Sequence, residues 1–150
     1  MNWRTCFTFV LVSAGIACLA SAQEAKDAKG PERTVWDGVY TEEQARRGLT
    51  GYMQACASCH AEDLRGNNTA PSLVEESFAF LWGGSTVGEL FERTRTLMLS
   101  DRPNSLPSQS YRDIVAFILQ ANKFPPGDKE LDADPEALRR ILITTKEARP

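Results

Sequence analysis

Apolar and polar positions divide the chain into a leading apolar block, a polar stretch, and three runs with helical spacing. The block extends from Phe7 to Leu19. Residues 23–34 are mostly polar, carry Gly30-Pro31 and show no apolar period, so they read as a mobile leader outside the fold. Large apolar groups return from Trp36 to Tyr40 and can dock on a domain. Thr41-Glu42-Glu43-Gln44 has the form of a capping box, in which the threonine serves one end of the first turn and the glutamine serves the other. Ala45, Leu49, Tyr52, Met53 and Cys56 then follow helical spacing. A second box, Thr86-Val87-Gly88-Glu89, opens a helix with Val87, Leu90, Phe91, Thr94 and Met98 on one side. A third helix, from about Ser108 or Ser110, carries Tyr111, Ile114, Val115, Ile118 and Leu119. It must end before Pro125-Pro126. Asp134-Pro135 fits the cap and first position of a short further helix. No run alternates as a strand would, so the predicted fold class is all-α.

Gly48 lies within the first of these helices, where glycine costs about 1 kcal/mol relative to alanine. Paired with Tyr52 one turn on, it makes a notch beside an aromatic ring where another helix could cross. A glycine merely tolerated in a fraying helix is the blander alternative.

At 150 residues, with 42% hydrophobic and 25% charged content, the chain has room for one ordinary domain. A formal charge of −3 with scattered basic residues gives no footprint for nucleic acid. The start of the chain changes the picture more. Arg4, the apolar block and the small residues Ala20-Ser21-Ala22 are the parts of a secretory signal peptide over residues 1–22. The apolar run is too short for a spanning helix of about 20 residues, so no stable membrane insertion is expected after cleavage. Cleavage removes Arg4, making the mature chain one unit more negative, and it also removes Cys6 and Cys18. A periplasmic or secreted protein then retains one cysteine pair, Cys56 and Cys59, and the domain runs over 35–150 with a C-terminal extension from about 126. A disulfide across so short a span would close a tiny loop and stabilise little.

Cys56-Ala57-Ser58-Cys59-His60 matches C-x-x-C-H, the pattern of covalent haem c attachment. Two cysteines three apart on a helical turn can each form a thioether to one porphyrin, and His60 is then carried under the iron. A redox dithiol would want a βαβ setting, and a zinc site would want about four ligands. Neither is supplied here. The chain has a single histidine, so a second axial ligand must be another residue type. Methionine is usual in electron carriers. Met1 leaves with the signal peptide and Met53 sits on the helix before the motif, which leaves Met98, although methionine on an amphipathic helix also serves as core filler. The other ring nitrogen of His60 needs a partner, commonly a backbone carbonyl, and the Asn67-to-Pro71 loop is close enough to fold back and offer one. Trp82 could bond a haem propionate through its indole N–H or simply be a buried aromatic. Leu73, Phe78, Leu90, Phe91 and Ile114 are candidates to enclose the porphyrin.

With Gly48 and Tyr52 before the motif, Ala70-Pro71-Ser72-Leu73 after it, and the segments Phe78 to Trp82, Thr86 to Phe91 and Tyr111 to Ala116, the stretch from Trp36 to about Asp132 resembles a class I cytochrome c of the bacterial secreted kind. That resemblance implies a cytochrome c fold around one haem, with Pro71 giving its carbonyl to His60 and Met98 as the axial sulfur. It also implies that the Gly48–Tyr52 helix crosses the C-terminal one. The chain departs from the pattern at Leu99, where proline usually follows the methionine, and at Pro107, which moves the expected helix start to Ser108. Proteins of this kind accept electrons from periplasmic dehydrogenases, quinoprotein alcohol or sugar dehydrogenases among them, or feed terminal oxidases. The expected function is therefore electron transfer between redox protein partners rather than catalysis. The alternative is a haem enzyme or gas sensor with a five-coordinate iron held by His60 alone.

Overall fold

The computed structural model describes residues 32–144. The expected signal peptide and most of the expected leader lie outside the described residues. Among the described residues there are six helices: α1 (Glu42–Ala55), α2 (Ala57–His60), α3 (Glu75–Trp82), α4 (Val87–Leu97), α5 (Ser108–Ala121) and α6 (Pro135–Arg139). Two short strands, β1 (Arg33–Thr34) and β2 (Ile141–Leu142), pair in parallel. The fold is all-α, as the periodicity predicts, with this one small pairing added.

The crossing of α1 and α5 organises the helices. A side chain at Gly48 would begin 1.8 Å from the Asp113 carbonyl oxygen and 2.9 Å from Phe117 Cβ. Only a bare backbone lets α5 come this close. One turn later the Tyr52 ring meets Phe117, with centroids 5.3 Å apart. The notch read from the sequence is therefore where the two helices meet. On α5, Tyr111, Ile114, Val115, Ile118 and Leu119 are all buried, as their spacing requires. Val87, Leu90, Phe91 and Thr94 of α4 join the same core.

The helix entries divide into one complete box and one half. Thr86 and Glu89 cap each other reciprocally at the start of α4. At α1 only half the box forms. Thr41 Oγ1 accepts from the Gln44 amide at 3.1 Å, but Gln44 is fully buried and its Oε1 accepts from the Leu131 amide at 2.8 Å instead. The glutamine anchors the C-terminal extension rather than closing its own helix turn. Leu49 and Met53, placed on the apolar stripe by spacing, are both 41% exposed, and Ala45, Gly48 and Tyr52 form the buried face of α1.

The extension from residue 126 wraps the domain. Gly127 donates to Tyr40 O at 2.7 Å where its Cα passes Gly38, and a Cβ at Gly127 would lie 2.2 Å from Gly38 O. Leu131, Leu138, Ile141 and Ile143 are buried along its course. Asp134 caps α6 through the Glu136 amide, with Pro135 at the first position. β2 then threads between β1 and the turn before α4, with Ile143 donating to Ser85 O at 2.8 Å and accepting from Gly84 at 2.9 Å. Arg33 and Thr34, at the end of the expected leader, are held by this pairing, which the sequence could not show because each strand is two residues long.

Candidate functional site

α1 stops at Cys56, whose backbone leaves the helical region at φ −121°, and one further turn, α2, begins at once. The Cys56 carbonyl accepts from both Cys59 and His60, at 3.1 and 3.0 Å. This single turn puts Cys56, Cys59 and His60 together, with Cys56 half-buried, Cys59 exposed and His60 buried. Both thiols are free. Burial, and then the neighbouring Cys59, pushes the Cys56 thiol up to about 11. It therefore stays protonated, the opposite of the lowered pKa that marks a reactive dithiol. Among the described residues no group of three or more His, Cys, Asp or Glu side chains gathers as a metal cage.

The imidazole of His60 is tightly specified. Its Nδ1 lies 2.9 Å from the Pro71 carbonyl oxygen. A carbonyl only accepts, so Nδ1 carries a proton, and in the neutral imidazole the lone pair is then left on Nε2. A C-terminal neighbour holds the motif from the other side: Tyr52 Oη donates to Ala61 O at 2.6 Å, and Ala61 turns the chain out of α2 at φ +63°. Burial pushes the Tyr52 phenol well above its ordinary range, so this donor is permanent.

The loop that delivers Pro71 is built from its own backbone. Gly66 donates to His60 O at 2.9 Å, and Asn67 donates to Ala70 O at 3.0 Å. The Asn67 side chain accepts from Thr69 and Ala70 in the manner of an Asx turn. Leu73 then donates to Leu64 O at 2.8 Å, bringing the loop back beside its start. Gly66, at φ +73°, has Pro71 packed directly on it. Asn67 and Pro71 stand out in the sequence and Gly66 does not, although glycine before two asparagines is a turn signal in its own right.

Trp82 ends α3, half-buried against the core, and its indole N–H finds no acceptor among the described residues. Met98 caps the C-terminus of α4 in extended conformation, half-buried. Leu99 after it is left-handed at φ +55°. Proline is locked near −65°, so this turn could not be made with the residue that usually stands there. No hydrogen bond joins Trp82 or Met98 to the Cys56–His60 turn among the described residues. Phe78, expected beside a porphyrin, packs near Phe124 and lines a cavity of about 150 Å³ with Trp36, Ile143 and Thr144, which includes none of the motif residues. Leu90, Phe91 and Ile114 are buried in the common core and Leu73 packs partly buried against it.

These residues fit a covalent haem c. Two unpaired thiols stand three apart on one helical turn, and the next residue is a buried imidazole whose free nitrogen is fixed as Nε2.

No curated protein and no solved structure matches the chain. A family model does: the one described as Cytochrome C oxidase, cbb3-type, subunit III matches residues 43–118, half of the chain, from the first turn of α1 into the last turn of α5. The chain belongs to that family and is a c-type cytochrome, a haem c protein of electron transfer.

Proposed function

We propose that the protein is an exported carrier of single electrons, with one haem c attached through thioethers at Cys56 and Cys59, and His60 Nε2 and the Met98 sulfur as its axial ligands. The observation that carries this reading is the 2.9 Å contact of His60 Nδ1 with Pro71 O. It leaves one nitrogen available, on the residue that directly follows the two thiols. When bound, the haem supplies a one-electron Fe(II)/Fe(III) couple. The protein's own residues then have limited work. The α2 turn presents both sulfurs, Pro71 fixes the tautomer and orientation of His60, and Trp82 offers its unpartnered indole N–H to a propionate. A Met98 thioether held by the iron together with His60 would close the metal to substrate and would favour a positive potential.

Signal-peptide character over residues 1–22 supports export to the periplasm, and no described helix is long and apolar enough to cross a membrane. We place the partners among redox proteins, a dehydrogenase as donor and an oxidase or another cytochrome as acceptor. The family's printed description, an oxidase subunit, favours the oxidase side as one docking partner. Carbon monoxide titration of the ferrous protein tests the closed-site reading. Little or slow binding is expected, with Met98→Ala binding rapidly and completely. Rapid, complete binding by the unmodified protein would instead support the five-coordinate enzyme or sensor.

A further inference from the structure

We infer that Asn122, at the far end of α5, is a positioning residue for His60, an inference that rests on the proposed ligation of iron by His60. Asn122 is not near the motif in sequence and does not touch the imidazole. Its Nδ2 donates to Leu73 O at 2.9 Å and to Ile118 O at 2.9 Å, and its Oδ1 accepts from the Glu75 amide at 3.0 Å. The side chain thus ties the segment after Pro71 to the last turn of α5. Leu73 is gripped from both sides, by Asn122 at its carbonyl and by Leu64 O at its amide, 2.8 Å away. Pro71 lies two residues upstream, with Gly66 packed behind it.

A second observation shows that this grip holds the backbone against its own preference. Glu75 sits at φ +60°, a left-handed conformation that costs a non-glycine residue energy and persists only where its surroundings over-determine it. The amide of that residue is the one Asn122 accepts from. The other side-chain tie on Glu75 is its carboxylate pair with Arg65, at 2.6 Å, and both partners are well exposed. Exposed pairs hold geometry weakly. The Pro71 carbonyl is therefore aimed by Gly66 from one side and by the Asn122 clamp from the other. A carbonyl that drifts from Nδ1 weakens the hydrogen bond that makes His60 a better donor to a metal.

The test uses the full haem-loaded protein and the variants Asn122→Ala and Tyr40→Phe. Tyr40→Phe removes another tertiary bond at the end of α5, from Tyr40 Oη to Phe124 O at 2.6 Å, and leaves the Pro71 loop intact. In the ferrous state, exchange of the His60 Nδ1 proton with solvent is followed by NMR, together with the midpoint potential. Asn122→Ala should speed that exchange about tenfold, the effect of losing the clamp's net hydrogen bonding on local opening. It should also raise the potential, because a less polarised imidazole gives less charge to Fe(III). Tyr40→Phe should change neither. If Asn122→Ala fails to assemble, Asn122→Asp, which keeps the acceptor for Glu75 but loses both donations, should show the same faster exchange, the readout its added charge does not set. Exchange and potential matching the parent protein, or an equal response from Tyr40→Phe, would reduce Asn122 to a structural tie and overturn the inference alone. A parent protein without covalent haem would overturn the ligation reading first, and the inference with it.

Discussion

Gly66 and Pro71 are in backbone contact: a side chain on Gly66 would begin 2.6 Å from the Pro71 carbonyl carbon and 2.4 Å from Ala70 O. The carbonyl so supported is the one that fixes His60. Gly66→Ala must therefore push Pro71 away as well as strain its own left-handed backbone. A loss of about 3 kcal/mol is expected in urea unfolding. Gly84, at φ +87° with nothing within 4 Å of a new Cβ, isolates the backbone part. Gly84→Ala should cost only about 1 kcal/mol and leave the His60 Nδ1 proton protected.

The α1–α5 crossing gives a sharper steric prediction. At Gly48 the obstacle is the Asp113 carbonyl, backbone of a buried helix, which cannot rotate aside. Gly48→Ala should cost at least about 3 kcal/mol, or prevent folding, despite alanine's better helix propensity. Gly51→Ala on the same helix meets only the Ile114 side chain at 3.3 Å and should be near neutral. Denaturant midpoints of the two variants make the comparison.

Much of this is legible in the sequence. Gly48 with Tyr52, the apolar faces of α4 and α5, the Thr86–Glu89 box and the Asp134–Pro135 entry are local signals, and local periodicity and capping decide them. What escaped the sequence depends on distant partners. The capping-box pattern predicts that Gln44 closes its own turn; it instead holds Leu131, 87 residues away. The β1–β2 pair is too short to leave an alternating pattern, and Leu49 and Met53 occupy helical positions that α5 does not cover. In the site, the motif is readable because haem attachment fixes its spacing, whereas the Pro71 carbonyl, which does reach His60, follows only from the family resemblance. Gly66 and Asn122 act through backbone geometry on the far side of the loop, which no residue pattern near the motif records.

Leu99 offers a test of the turn after Met98. Its φ of +55° suits glycine and excludes proline. Leu99→Gly should hold or raise stability by up to about 1 kcal/mol. Leu99→Pro should lower it by more than that and, on the proposed ligation by Met98, open the ferrous protein to carbon monoxide. Thermal midpoints and the carbon monoxide difference spectrum report the two effects.

A modest acid sensitivity follows from Glu92. Hydrogen bonding from the Arg95 guanidinium holds its carboxyl below the ordinary value of 4.5. A carboxyl lowered on folding contributes stability that is complete above its unfolded pKa and fades as pH falls through the folded one. Both side chains are about one-third exposed, so solvent screens the effect. Urea midpoints of the parent and Glu92→Gln should differ slightly above pH 4.5 and converge in more acid solution, with added salt shrinking the gap.

On the proposed function, Cys56 and Cys59 carry haem covalently beside His60. Acid–acetone extraction of the purified protein, followed by intact mass measurement, addresses it directly. The mass of one haem should stay with the chain through extraction and be lost when both Cys56→Ser and Cys59→Ser are made. Haem that extracts fully from the unmodified protein, or survives in the double variant, would contradict it.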